Sequence, residues 1–161
     1  MTMPRISDFQ VIERGPQPTL SIHSEVELKH IHSQIIESRK KIATYFQQND
    51  RKPSGSFFVI YHQFSKKNVK MEAGFPVAME MSGKEDIQSN HLATGLFLTA
   101  LHMGPHKEIP KVYKEMDEWL EQNVFETTGV SEEIYYNDED SKVNENQLVS
   151  MILIPIKKLK V

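Results

Sequence analysis

Apolar and polar positions along this chain follow two periods, and the switches between them mark out the elements. A short edge strand is expected near Phe9 to Ile12, stopped by Gly15-Pro-Gln-Pro18. Thr19 to Ser24 alternates with period two and predicts a strand. From Leu28 to Gln48 the apolar residues Leu28, Ile31, Ile35, Ile42, Tyr45 and Phe46 fall at helical spacing, so a long amphipathic helix is expected, ended by Asn49-Asp50 and Pro53-Ser-Gly55. Strands follow over Phe57 to Gln63 and Val69 to about Met79, joined by a polar turn at Ser65 to Asn68. The polar segment 82–91 suits a linker. Beyond it come a strand over Gly95 to Leu101, the loop His102-Met-Gly-Pro105, and a helix from about Lys107 to Gln122. That helix carries Ile109, Val112, Met116, Trp119 and Leu120 on one side. The strand Val130 to Tyr136, an acidic Asn-rich loop and the apolar strand Leu148 to Ile156 complete the chain.

The order strand, helix, strand, strand occurs twice, and the repeat extends to single residues. A constant shift of 74 places Ile35 on Ile109, Tyr45 on Trp119, Asn49 on Asn123, Gly55 on Gly129 and Ile60-Tyr61 on Ile134-Tyr135. Leu20 and Leu96 begin the two copies, and Phe75-Pro-Val77 resembles Ile154-Pro-Ile156. The expectation is one domain over 1–161, with pseudo-repeats 19–81 and 92–157.

Length and composition narrow the class. At 161 residues the chain is long enough for a real core, and 39% hydrophobic with 25% charged residues is ordinary for a soluble protein. A net charge of -3 supplies no basic field for nucleic acid, so no direct nucleic-acid binding is expected, and Lys157, Lys158 and Lys160 read as a solvated tail. The absence of cysteine excludes disulfides, thiolate metal sites and a cysteine nucleophile. Met1 to Asp8 lacks the apolar run of a signal peptide, and no stretch approaches the roughly 18 apolar residues needed to cross a bilayer. A cytoplasmic protein with no membrane partner is the expectation.

Candidate chemistry concentrates in Gly129 to Asp138. On a strand Glu133 and Tyr135 share one face, and Ile134 and Tyr136 the other. The repeat makes Tyr61 the mate of Tyr135 and Val59 the mate of Glu133. A carboxylate standing where the other copy is apolar suggests an aromatic cleft with one charge, rather than a face turned to water. Such a glutamate could hold a cationic ligand, or act as a general base toward water. Tyr61 and Tyr135 could stack on a planar ligand or hold a cation over the ring; core packing is their other reading. Trp119 reads as core. Glu139, Asp140 and the acidic residues of the second helix read as a solvated face. Seven histidines invite a metal reading, but His30-Ile-His32 would need an extended segment and Gly104-Pro105 interrupts His102 to His106. No metal and no cofactor are expected.

The segments Met71-Glu-Ala-Gly-Phe-Pro-Val77, His102-Met-Gly-Pro105, Ile109 to Trp119, Glu133-Ile-Tyr-Tyr-Asn-Asp138 and Ile154-Pro-Ile156 together resemble the GyrI-like family. Members are small-molecule-binding domains, standing alone or serving as effector domains of AraC- and MerR-type regulators. The resemblance spans Phe9 to Ile156 and departs at His106, where the family commonly has Tyr. It implies an α+β fold: duplicated strand-helix-strand-strand units form a curved antiparallel sheet with two long helices on one face. The ligand site is then expected on the opposite face, between the halves. It further implies that Glu133 meets hydrophobic, often cationic or DNA-reactive molecules, with Tyr61, Tyr135, Val59 and Phe58 around it and His102 orienting the loop at the mouth. Some members resemble hydrolases that open the cyclopropane of DNA-alkylating natural products; Glu133 and Tyr135 would then be catalytic. Others resemble gyrase-protecting proteins, which makes gyrase a candidate protein partner. Lacking a preceding helix-turn-helix segment, the chain is not expected to act as a transcription factor by itself.

Overall fold

The computed structural model describes residues 8–137 and 142–159. The chain divides into two compact units, one of residues 15–94 and one of residues 1–14 with 95–161. Each is an antiparallel sheet with one long helix, so the class is α+β.

In the unit of residues 15–94 the elements are β2 (Pro18–Glu27), α1 (Ile31–Gln48), β3 (Phe57–Phe64), β4 (Asn68–Pro76) and β5 (Gln88–His91), with the sheet order β3-β4-β2-β5. Gly74 is fixed by this packing. A Cβ there would stand 2.2 Å from the Leu20 carbonyl oxygen, so only glycine lets β4 approach β2 so closely. The core joins Leu20 and Ile22 of β2 to Ile42 and Phe46 of α1. Residues 28–30, expected as the start of the helix, form a 3-10 turn, and α1 begins at Ile31. Part of the expected linker is strand β5, whose sequence Gln-Ser-Asn-His has no apolar period; its backbone pairs with Pro18 to Ser21 at the edge of the sheet. β4 ends at Pro76 rather than near Met79, with one last bond to β2 beyond it, from the Val77 amide to the Pro18 carbonyl at 2.9 Å.

The other unit contains β1 (Gln10–Arg14), β6 (Gly95–Met103), α2 (Ile109–Gln122), β7 (Phe125–Thr127), β8 (Ser131–Tyr135) and β9 (Val149–Lys158). Its order is β1-β6-β9-β8, with the unexpected three-residue β7 also paired to β9. Lys157 and Lys158 therefore belong to a strand, and Lys157 pairs with Glu126 at 3.2 Å. Leu98, Ala100, Ile152 and Ile154 of the sheet pack on Ile109, Val112, Met116 and Leu120 of α2. Leu98 is fully buried, whereas Leu96, set beside Leu20 at the start of the two copies, is exposed where Leu20 is buried. Trp119 is partly buried, as its helical spacing required, with its ring stacked on Phe125 and edge-on to Phe9.

The 74-residue repeat holds at atomic detail. The buried residues of α1 are Ser38, Ile42 and Phe46; the same shift gives Val112, Met116 and Leu120, all buried in α2. Both helices end on an asparagine whose side-chain amide donates to the carbonyl four residues back, Asn49 to Tyr45 and Asn123 to Trp119, each at 2.8 Å. Strands β3 and β8 begin at matching positions, 57 and 131.

Candidate functional site

Strand β8 leaves a turn at Gly129, whose φ of +87° suits glycine, and carries two consecutive buried carboxylates. Alternation sends them to opposite faces of the sheet. Glu132 meets Arg14 of β1 in a bidentate pair, both N–O distances 2.9 Å, and the Arg14 guanidinium also lies over the Phe97 ring. Its charge is fully compensated. Glu133 is 7% exposed and is treated quite differently. Its Oε1 accepts from the Tyr135 hydroxyl at 2.6 Å and its Oε2 from the Tyr113 hydroxyl at 2.7 Å. Among the described residues no cationic side chain pairs with it.

Burial pushes the Glu133 carboxyl above the ordinary glutamate range, and the hydroxyls of Tyr135 and Tyr113 pull it part of the way back. An ionised Glu133 is therefore a desolvated negative charge held by two neutral donors and no counter-charge.

Register identifies the face. Glu133 opposes Ile152, which opposes Ala100, and both pack against α2. Glu133 thus lies on the helix-facing side of its sheet, under Tyr113 of α2. The expectation of a site on the face away from the helices fails here, because the carboxylate is reached from the helix itself. The next row on this face runs Tyr135, Ser150, His102. His102 and Ser150 are fully buried, and among the described residues neither ring nitrogen of His102 nor Oγ of Ser150 has a hydrogen-bond partner. His102 is a strand residue on the floor of this region, not a mouth residue orienting a loop. Burial keeps its imidazole below the ordinary histidine value, against the pull of Glu108. His106, exposed, sets its ring against that of Tyr135 with centroids 5.1 Å apart.

Glu133 and Tyr135 are therefore brought together, with His102 one row away and two strands over. Tyr113 was missed: it reads as an ordinary amphipathic-helix position, and only the packing of α2 shows what its hydroxyl reaches. In the other unit Val59 and Tyr61 lie on the helix-facing side of β3, by register with Ala73 and Met71, and Tyr61 stacks on Phe64. Phe58, opposite Gly74, points to the other face and does not share theirs. Residues 30 and 32 lie at the end of a 3-10 turn and in α1, so the extended segment a His30–His32 metal pair would need is not formed. Tyr136 is on the face away from Glu133 and 44% exposed, while Glu139 and Asp140 lie outside the described residues.

Residues 7–157 match the model of the GyrI-like small molecule binding domain. No curated protein matches the sequence. Among solved structures, EcmrR in its DNA complex superposes with a TM-score of 0.79 at 19% identity; the match covers 94% of this chain and 58% of that one. The EcmrR C-terminal domain alone gives 0.73 at 18% identity, covering 94% and 98%. A hydrolase from Listeria innocua gives 0.68 at 11% identity, covering 92% and 91%. SAV2435 bound to tetraphenylphosphonium gives 0.64 at 13% identity, covering 94% of each. At these identities the likeness is one of fold.

Proposed function

The chain belongs to the GyrI-like small-molecule-binding domain family, and from that premise we propose that it binds hydrophobic cations, with Glu133 as the group that selects for charge. One observation carries this reading: Glu133 is buried, hydrogen-bonded by two tyrosines, and without a cationic partner among the described residues. A buried carboxylate in that state costs stability, and a structural role would have paired it, as Arg14 pairs Glu132. A ligand cation supplies the missing counter-charge, and the rings of Tyr113, Tyr135 and His106 offer flat surfaces to its apolar body. The polar atoms of Ser150 and His102 in the adjoining row, unpartnered among the described residues, give a ligand further hydrogen-bonding points. An anion meets the same carboxylate and is rejected.

The test uses tetraphenylphosphonium, the cation that SAV2435 binds, as probe. Titration calorimetry should show one saturable site. Glu133→Gln keeps the shape and removes the charge, and should weaken binding by about 10- to 100-fold, roughly 1.4–2.8 kcal/mol. Equal affinity in wild type and variant would refute the role given to Glu133.

The same carboxylate and hydroxyls support a second reading, hydrolysis of strained electrophilic natural products, with Glu133 drawing a proton from attacking water and Tyr135 placing the ligand. A turnover count separates the two. With a cyclopropane-bearing pyrroloindole alkylator in large excess, an enzyme converts many equivalents to the product of water addition, and Glu133→Ala abolishes the rate. A binder protects one equivalent and returns the compound intact.

A further inference from the structure

We infer that the unit of residues 15–94 carries a second site, unrelated to Glu133: a divalent transition-metal site of the zinc type, formed by His23 Nε2, His62 Nε2 and Glu72 Oε1. These three atoms all lie within 4.8 Å of one another, and among the described residues this is the one group of histidine and acidic side chains that meets that geometry. Both imidazoles aim Nε2 at the same carboxylate oxygen, His62 at 2.9 Å and His23 at 3.1 Å. Donors bound at about 2.0–2.1 Å in a tetrahedral shell stand about 3.3 Å apart, so small side-chain shifts admit the ion. Two imidazoles and a carboxylate suit zinc and its neighbours rather than magnesium or calcium, which prefer all-oxygen shells.

The three ligands come from three adjacent strands, a stiffer platform than loops. His23 of β2 is the register partner of Glu72 of β4, and Glu72 in turn opposes Ile60 of β3. The register of β3 then slips between Tyr61 and Gln63, making His62 the extra residue of a bulge. Bulges re-aim side chains, and here His62 is brought beside His23, the two rings 20° from parallel with centroids 5.8 Å apart.

Behind the ligands is a set of groups that would orient the carboxylate. Glu72 is 5% exposed, and its second oxygen accepts from the Ser21 hydroxyl at 2.6 Å. Ser21 in turn accepts from the Asn90 amide at 2.9 Å. This relay fixes Glu72 with Oε1 turned to the histidines, as outer-shell partners of metal ligands do. The histidine side chains are 48% and 40% exposed and border an open depression of about 420 Å³ that also touches Lys70 and Met71. An ion can enter from solvent, and water can complete its shell.

Metal-free protein titrated with Zn²⁺ should bind one equivalent by calorimetry, and Co²⁺ should give the visible bands of a four-coordinate site. His23→Gln and His62→Gln, both at half-exposed positions, should each weaken Zn²⁺ binding at least about 100-fold, more than an outer-shell change. Ser21→Ala should weaken it about 10- to 100-fold. The double variant His30→Gln/His32→Gln should bind as wild type, and circular dichroism checks that each variant is folded. Absence of saturable binding at 100-fold excess Zn²⁺ would overturn the site, as would unchanged affinity in folded His62→Gln or loss of binding in the His30/His32 variant.

Discussion

Glu132 and Glu133 are neighbours of one type, both buried, and the sheet gives them opposite fates. Glu132 is a structural charge. Truncating its partner, Arg14→Ala, leaves a carboxylate buried alone and should cost about 3 kcal/mol in denaturant unfolding with no change in cation affinity. Glu133, proposed above as the ligand's counter-charge, has a sign with pH that runs the other way from an ordinary paired carboxylate. Its folded pKa is raised by burial above the usual 4.5, so the folded protein holds the proton more tightly than the unfolded chain. The stability it contributes is complete below the unfolded value and is lost as pH rises through the folded one. Glu133→Gln should therefore match wild type in melting temperature near pH 4 and gain on it progressively as pH rises. A variant that loses stability with rising pH relative to wild type would show the charge to be structurally paired. Removing one hydroxyl, Tyr113→Phe, takes a stabilising donor from the ionised form and should move the midpoint of pH-dependent cation binding upward.

At the scale of elements, the helices and the long strands were legible because their apolar periods are clean. The repeat predicted more than was asked of it, since the matching burial of Ile42 with Met116 and Phe46 with Leu120 follows from the same shift that aligned surface asparagines. Strands β5 and β7 were not legible: Gln88–His91 has no apolar face, and Phe125–Thr127 is too short to show a period. Each is held by backbone pairing that only the fold provides. Gly74 stood inside a recognised segment, yet its reason is the approach of β2. Gly74→Ala should cost about 3 kcal/mol or more by chemical denaturation, whereas Gly15→Ala, where an added Cβ meets nothing, should lie within about 0.5 kcal/mol of wild type.

For the molecule as a whole, the sequence located the carboxylate and one of its tyrosines but put them on the wrong side of the sheet. Strand alternation shows which residues share a face; it does not say which face a helix will cover. Tyr113 and the histidine pair His23 and His62 escaped for the same reason, since each acquires its meaning from strands or a helix distant in sequence. Among the described residues no helix is long and apolar enough to cross a membrane. Whether Glu133 is a charge held for a ligand is decided by quaternary-cation affinity as a function of pH in wild type and Glu133→Gln. Wild-type binding should be tight at high pH and fall as pH drops through the raised carboxyl value, about tenfold per pH unit well below it, while the variant binds weakly and flatly throughout. Parallel curves of equal affinity would contradict that role for Glu133.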